Sequence, residues 1–324
     1  MPPRILAVAE VADGALTKLS TEVATVARRL AETAGGEALG LVVDPAPEAA
    51  AAELATYLSR VVAVANPALS DEVAAPHVAA EVARLLDDGV THVILGVSQD
   101  GRDVAGTLVG LTGLGLLANA DAVEWQDGGP VSRASVLAGK AVTTSAFTGD
   151  RGIVTLRPGG VTAEPAASAG TVETRDPGAP AIPGPKILDR IAEAGAQVSL
   201  EDAKVVVVGG RGVGGPDGFR MVEELAEALG GVVGATRASV DAGWIPYARQ
   251  IGQTGRVVKP ALYLGLGVSG AMQHRVGMQA SQAIVIVNRD PDAPMAEVAD
   301  LFVVGDLFEV APALTAEIRA RRGG

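Results

Sequence analysis

Residues 205–219 read VVVVGGRGVGGPDGF, and this stretch decides the fold of the second half of the chain. A run of four valines is typical of a short strand buried on both faces. Gly210, Gly212 and Gly215 match the pattern G-x-G-x-x-G, which lets a backbone approach a pyrophosphate where a helix begins. The stretch therefore predicts a strand, a turn and a helix that bind a dinucleotide. The alternative is a glycine-rich turn that serves packing alone.

Short apolar runs and helical segments alternate throughout this half of the chain. The predicted strands are residues 204–208, 232–235, 262–266, 283–287 and 301–304, and the predicted helices are 216–229, 269–279 and 308–321. This alternation predicts a doubly wound parallel sheet. Ligands of such folds bind outside the carboxyl ends of the strands, so we expect the functional site at that edge.

The first half of the chain begins with the same alternation and then departs from it. Strands are predicted at residues 5–9, 38–43, 60–65 and 91–97, helices at 16–33, 49–58, 74–87 and 102–117, and further short strands at 121–125, 132–137, 141–148 and 152–157. Hairpin-length spacings predict that the last four are antiparallel strands added to the first sheet. The segment 171–174 is expected to pair within a stretch rich in proline and glycine.

The predicted fold class is therefore α/β with two domains. Residues 1–190 form an N-terminal Rossmann-like α/β domain with added antiparallel strands, and residues 191–324 form a C-terminal domain with a doubly wound parallel sheet. The boundary is placed at the end of the segment rich in proline and glycine, because domain boundaries favour such linkers.

Composition excludes several classes of site. The chain of 324 residues has no cysteine, which excludes disulfides, thiolate zinc sites, iron–sulfur clusters and cysteine nucleophiles. Its three histidines, His77, His92 and His274, are not at metal-ligand spacing, so no metal site is predicted. A net charge of −12, from 26 basic and 38 acidic side chains, argues against nucleic-acid binding.

The same composition predicts a cytoplasmic protein. No apolar run reaches the length that a membrane-spanning helix needs. The first residues, MPPRILAVAEVADG, are interrupted by Glu10 and are typical of a first strand and not of a signal peptide.

The residues after the second strand of the C-terminal domain bear on which dinucleotide is bound. A site for NAD requires Asp or Glu at the end of that strand, whereas this chain has Thr236 and Arg237 there. The standard NAD site is therefore not predicted, and an NADP site stays open through Arg237. A surface salt bridge of Arg237 is the simpler alternative.

Four further polar features lie at predicted strand ends. Gln253 and Thr254 stand between glycines in IGQTG, and Ser269 is placed to begin a helix that carries His274 in its first turns. Asn288 and Asp306 each follow a strand, where simple Asx turns would also explain them. Because all of these positions share one edge of the sheet, we expect them to line one cleft.

Five motifs in register make the chain similar to a known family. The motifs lie in the second half of the chain and are GRGVGG at 210–215, TRASVDAGWIP at 236–246, IGQTGRVVKPALYLGLGVSGAMQHRVGM at 251–278, VNRDPDAP at 287–294 and VGDLFEV at 304–310. Together these five stretches resemble the electron transfer flavoprotein alpha subunit. In the first half, LGVSQDGRDVAGTLVGLTGLG at 95–115 also resembles the alpha-subunit pattern.

The resemblance implies a redox carrier. One FAD per alpha chain is expected in the C-terminal domain, and AMP is expected in a partner beta chain that contacts the N-terminal domain. The heterodimer would accept electrons from acyl-CoA and related dehydrogenases, as in fatty acid beta-oxidation, and pass them to a membrane quinone oxidoreductase through a flavin semiquinone. Such a chain is a carrier subunit and not an enzyme with substrate turnover of its own.

The resemblance also implies roles for single residues. Arg237 is expected against the isoalloxazine ring, the Thr254 hydroxyl near N5, and His274 near the carbonyl O2, where Arg237 and His274 would stabilise negative charge. The cofactor-binding residues implied are Arg211, Gly212, Thr236, Arg237, Ile251, Gly252, Gln253, Thr254, Ser269, Gly270, Ala271, Met272, Gln273, His274, Asn288, Asp306 and Leu307. Of these, Asn288, Asp306 and Leu307 are expected at the adenosine end.

Two departures from the family pattern are visible. Thr236 replaces a frequent serine and keeps the hydroxyl, while Met295 and Ala296 replace a bulkier apolar pair and bear on helix packing. Two other functions stay open, an NADP-dependent oxidoreductase and a nucleotide-binding structural subunit without a redox group. Visible absorption separates both from a flavoprotein, because neither would be coloured.

Overall fold

A computed structural model of the chain describes residues 2–137, 141–180, 182–189, 200–201 and 203–322. The chain divides into two units, residues 1–191 and 192–324. The predicted domain boundary, between residues 190 and 191, lies outside the described residues. Among the described residues, no helix is both long and apolar enough to cross a membrane.

The first unit contains strands and helices in alternation. Its strands are β1 (Arg4–Val8), β2 (Val11–Ala12), β3 (Ala15–Leu16), β4 (Glu37–Asp44), β5 (Arg60–Ala65), β6 (His92–Gly96), β7 (Leu116–Ala120), β8 (Ala122–Gln126), β9 (Gly129–Val136), β10 (Ala141–Ala146), β11 (Gly152–Leu156) and β12 (Thr171–Arg175). Its helices are α1 (Lys18–Ala34), α2 (Glu48–Leu54), α3 (Ala74–Asp87) and α4 (Gln99–Thr112), with a 3-10 helix at Pro67–Ser70.

A seven-stranded sheet forms the centre of this unit, in the order β12-β5-β4-β1-β6-β11-β7. Every pairing in it is parallel. Ile5 and Leu6, adjacent on β1, are both fully buried and belong to different apolar clusters, one on each face of the sheet. The sheet is therefore covered on both faces, which explains its continuous apolar strands.

The antiparallel strands of this unit differ from the prediction. β8, β9 and β10 form a three-stranded antiparallel sheet of their own and do not extend the first sheet. The segment predicted as the fourth antiparallel strand is β11, which pairs in parallel with β6 and β7. All five of its residues are buried, as expected for a central parallel strand. The antiparallel pairing predicted from hairpin-length spacing was therefore wrong for this strand.

Two further segments of the first unit also correct the prediction. The helix predicted at 102–117 is α4 and ends at Thr112, because Gly113 adopts the left-handed conformation at φ +68°. The residues that follow form β7 instead. Within the segment rich in proline and glycine, β12 pairs with β5 and closes one edge of the sheet.

The second unit has the predicted doubly wound sheet. Its strands are β13 (Val205–Gly209), β14 (Val232–Ala235), β15 (Leu262–Leu266), β16 (Ile284–Asn288) and β17 (Leu301–Val304), all parallel and in the order β14-β13-β15-β16-β17. Its helices are α5 (Pro216–Leu229), α6 (Arg237–Asp241), α7 (Met272–Arg275) and α8 (Leu307–Arg322), with 3-10 helices at Arg211–Val213, Tyr247–Arg249 and Pro294–Glu297. The strand order reverses between β13 and β15, which marks the expected ligand position.

One helix of this unit is much shorter than predicted. The segment 269–279 contains only the single turn of α7. Gly270 adopts φ +87°, which a regular helix cannot accommodate, and Gly277 packs against the backbone of Gly252. Tertiary contact between two loops therefore replaces most of the predicted helix.

Candidate functional site

Two glycine turns meet where the strand order of the second sheet reverses. The N–H of Gly210 donates to the carbonyl of Leu266 at 2.9 Å, and that of Gly212 donates to the carbonyl of Gly267 at 3.1 Å. Gly267 has φ +63°, and a Cβ on it would lie 2.7 Å from the Cα of Gly212. The turns after β13 and β15 therefore approach so closely that both positions require glycine.

The turn that follows β15 presents backbone donors. No acceptor in the described part of the chain pairs with the backbone N–H groups of Ser269, Gly270 and Ala271. Two hydrogen bonds to its carbonyl groups fix this turn. The N–H of Met295 donates to the Ser269 carbonyl at 3.2 Å, and the amide of Asn288 donates to the Val268 carbonyl at 2.9 Å. Successive free N–H groups in a fixed turn form a binding position for an anion.

The segment after β14 begins with Thr236, whose N–H donates to the Gly209 carbonyl at 3.1 Å. The Ser239 hydroxyl is fully buried, and its oxygen lies 3.2 Å from that of Thr236. Arg237 is 67% exposed and donates through Nε to Asp241 at 3.1 Å. The salt bridge considered as an alternative is thus present, and it engages only one of the three guanidinium nitrogens.

The loop 251–255 lies against the end of β14 and against α7. The N–H of Ile251 donates to the Ala235 carbonyl at 3.0 Å, and that of Gln253 donates to the Gln273 carbonyl at 2.8 Å. At its tip the exposed Thr254 accepts a hydrogen bond of 3.1 Å from the amide of buried Gln250. Because Gln250 is the donor, the Thr254 hydroxyl proton stays available to an acceptor in the cleft.

The imidazole of His274 lies inside the protein. Its Nδ1 lies 3.0 Å from the Ile251 carbonyl and its Nε2 lies 2.7 Å from the Tyr263 hydroxyl, so both ring nitrogens are occupied. The side chain is only 6% exposed, and this burial lowers the pKa of His274 to about 4. Both ring nitrogens of His274 thus have partners inside the protein, and its contact with O2 of a flavin stays a prediction.

The remaining predicted residues lie on the same edge. Asp306 accepts from the Phe308 N–H at 2.9 Å and caps α8, and Asn288 accepts from the Asp290 N–H at 3.1 Å. Both side chains therefore form the simple turns that the sequence allowed. Leu307 is buried beneath the glycine turn that follows β15, whereas Arg211 is exposed at the glycine turn that follows β13.

The structure thus joins the predicted residues through direct contacts between neighbouring loops. Three residues of the site were not predicted, namely Ser239, Gln250 and Tyr263, which lie under the loops and hold them. Tyr263 had a signal in the sequence, because it is a hydroxyl-bearing residue in an aliphatic buried strand. Among the described residues, no cluster of His, Asp or Glu is arranged to hold a metal ion.

Comparison with known proteins decides the family. Residues 5–180 match the family model described as electron transfer flavoprotein domain, and residues 199–279 match the electron transfer flavoprotein FAD-binding domain. An electron transfer flavoprotein subunit alpha of Mycobacterium leprae (strain TN) is 42% identical over 321 residues, which cover 98% of this chain and 99% of that protein.

The chain belongs to the electron transfer flavoprotein alpha-subunit family. The subunit alpha of Bacillus subtilis (strain 168) is 33% identical over 322 residues, with 98% of each chain covered. The mitochondrial subunit alpha of Arabidopsis thaliana is 53% identical over 123 residues, 38% of this chain and 34% of that protein. The predicted family is therefore confirmed, and with it a flavoprotein of electron transport.

The alpha-subunit residues fit the FAD that the matched domain binds. A dinucleotide needs donors for its two phosphates, and Ser269, Gly270 and Ala271 offer backbone N–H groups without an internal acceptor in the described residues. A dinucleotide also needs to approach the backbone closely. The two turns allow this because Gly212 and Gly267, where they meet, have no side chains. Asp and Glu are absent from the position after β14 where an NAD ribose would be bound.

Proposed function

We propose that this chain carries one FAD in its C-terminal domain and forms a heterodimer with an electron transfer flavoprotein beta subunit that holds AMP. When bound, FAD supplies one-electron redox chemistry. The heterodimer accepts electrons from acyl-CoA and related dehydrogenases and passes them to a membrane quinone oxidoreductase. It works in the cytoplasm and turns over no substrate of its own.

The observation that carries this proposal is the row of backbone donors from Ser269 to Ala271, which have no acceptor among the described residues and lie beside the two glycine turns. An anionic pyrophosphate is the group that such donors suit best, and the row lies where the strand order reverses. Hydrolysis is less well supported, because the one histidine of the site, His274, has both ring nitrogens occupied inside the protein.

Each side of the cleft has a proposed role. The exposed Arg211 and the turn from Ser269 bind the phosphates, and Asn288, Asp306 and Leu307 hold the adenosine end. Thr254 donates its free hydroxyl proton to the flavin edge, and the two unengaged guanidinium nitrogens of Arg237 lie against the ring system.

Six backbone positions complete the proposed cofactor set. The turns around the cofactor are formed by Gly212, Ile251, Gly252, Gly270, Met272 and Gln273. Gln253 borders the ring beside them. His274 fixes the loop through the hydrogen bond of its ring to the Ile251 carbonyl.

The N-terminal unit is proposed as the surface that meets the beta subunit. Its three-stranded sheet ends at β10, all six residues of which are exposed although the strand contains the apolar Val142. An edge strand with an exposed apolar side chain favours association with another chain. The exposed strand β10 therefore supports the N-terminal unit as the contact with the beta subunit. The FAD is proposed to lie in the other unit of the alpha chain.

The test is the cofactor content of the heterodimer purified after co-expression with its beta subunit. We expect visible flavin absorption and, by mass spectrometry of the released material, one FAD and one AMP per heterodimer. Release of FMN, of NADP or of no cofactor from the intact complex would contradict the proposal. Anaerobic mixing with an acyl-CoA dehydrogenase and its substrate should bleach the flavin, and a stable oxidised spectrum would contradict the proposed donor alone.

A further inference from the structure

Tyr263 has the largest fully buried side chain among the described residues, with 0% exposure. It lies in an apolar cluster of the second unit with Val206, Met278 and Ile286. Phenylalanine would fill the same space, so packing does not explain the hydroxyl. A buried hydroxyl needs a hydrogen-bond partner, and the partner here is Nε2 of His274 at 2.7 Å.

The direction of this hydrogen bond follows from the second contact of the ring. The Ile251 carbonyl can only accept, so Nδ1 of His274 must carry the proton across their distance of 3.0 Å. Nε2 is then an acceptor, and Tyr263 must donate to it. Burial lowers the pKa of His274 to about 4 and raises that of the Tyr263 phenol, so both groups stay neutral at physiological pH.

The chain of donors ends on the loop that carries the flavin-edge residues. Ile251 is held from one side by the ring of His274 and from the other by the Ala235 carbonyl, which accepts its N–H at 3.0 Å. Two residues later, the Gln253 N–H donates to the Gln273 carbonyl at 2.8 Å. The loop is thus fixed at both of its buried contacts before Thr254 reaches the cleft.

We propose that Tyr263 is a positioning residue that donates to Nε2 of His274, keeps Nδ1 of that ring on the Ile251 carbonyl, and thereby holds the loop to Thr254 against a bound flavin. This inference rests on the proposed function and extends it to a residue that touches no cofactor. Without the phenolic donor, Nε2 of His274 is a buried acceptor that has lost its partner, and one of the two hydrogen bonds that fix the ring is gone. The loop then loses its single arrangement, and its grip on FAD weakens.

The decisive variant is Tyr263→Phe in the FAD-loaded heterodimer, with Tyr57→Phe as the matched control in the first unit. Nitrogen-15 NMR of a heterodimer with labelled histidine in the alpha chain only should place the His274 proton on Nδ1 in the wild type and in the control. In Tyr263→Phe the proton should stay on Nδ1, whereas the Nε2 resonance should move to the position of an acceptor without a hydrogen bond, and the visible flavin spectrum should change. FAD release should be about tenfold faster, because a buried acceptor has lost its donor.

A double-mutant cycle separates positioning from simple destabilisation. In a His274→Ala background, Tyr263→Phe should not accelerate FAD release further, because the hydroxyl then has no ring to orient. Independent, additive effects of the two changes would overturn the inference. So would a Tyr263→Phe heterodimer that keeps the FAD release rate, the flavin spectrum and the Nε2 resonance of His274 unchanged. A wild-type heterodimer without FAD would instead contradict the proposed function itself.

Discussion

Alanine at Gly267 should damage both the fold and the cofactor site of the C-terminal unit, whereas alanine at Gly214 should add backbone strain alone and leave the cofactor site intact. Both glycines have positive φ, +63° and +84°, so each alanine costs about 1–2 kcal/mol in backbone strain. They differ in space. A Cβ at Gly267 would lie 2.7 Å from the Cα of Gly212 and 2.9 Å from a methyl group of Leu307, whereas a Cβ at Gly214 meets nothing within 4 Å.

The contact distance sets the additional cost at Gly267. Carbon atoms prefer a separation of about 3.5–4.0 Å, so the turn at Gly212 must move by about 1 Å to admit the methyl group. Such overpacking costs about 1–3 kcal/mol, which gives a total of about 2–5 kcal/mol for Gly267→Ala against about 1–2 kcal/mol for Gly214→Ala. For a domain of this size each kcal/mol lowers the Tm by about 3–5 °C.

Two assays on the same heterodimers check this difference. Thermal unfolding should rank the Tm as wild type, then Gly214→Ala, then Gly267→Ala, and titration of the cofactor-free protein with FAD should show weaker binding only for Gly267→Ala. Equal losses of Tm and equal FAD affinity in the two variants would refute the reasoning, because strain alone would then account for both glycines.

Three further predictions concern charge and hydrogen bonding. Arg237→Ala should keep FAD but lower the first reduction potential by about 60–130 mV, and Arg237→Lys should recover part of that loss. An unchanged potential would mean that Arg237 forms a surface salt bridge and does not contact the flavin. Thr254→Ala should bind FAD and fold normally but shift the potential, while Thr254→Ser should match the wild type; identical redox titrations of all three would exclude a flavin contact. Burial lowers the pKa of His92 to about 4, below its unfolded value, so its neutral form stabilises the fold fully above about pH 6.5. That contribution should fall by about 1.4 kcal/mol per pH unit as the pH drops towards 4, and urea unfolding of His92→Phe should show a shallower pH dependence, whereas equal slopes would contradict it.

Much of the second sheet could be predicted because each of its strands is a short aliphatic run followed by a polar or glycine residue. The strands at 232–235, 262–266 and 301–304 agree with the structure at both ends. The helix at 269–279 could not be predicted correctly, since its loss depends on contacts of Gly270 with Met295 and of Gly277 with Gly252. Such contacts between loops leave no periodic signal along the chain.

The site shows the same division. Its location followed from strand order and spacing, because every motif lay at a strand end. The orientation of His274 did not follow, since it depends on a hydroxyl one strand away and on the carbonyl of Ile251. The sequence placed the residue after a strand end, whereas its buried partners, the Ile251 carbonyl and the Tyr263 hydroxyl, decide where its ring lies.

The late strand β12 has a consequence for synthesis of the chain. β5, with the sequence RVVAVA, has β12 as its outer neighbour, and the ion pair that joins them, Arg60 with Glu173 at 2.7 Å, spans 113 positions of the sequence. During translation the outer edge of β5 therefore waits unpaired until residues 171–175 leave the ribosome. An apolar strand with a free edge is prone to pair with other chains, so the nascent N-terminal unit is exposed to aggregation for most of its own synthesis.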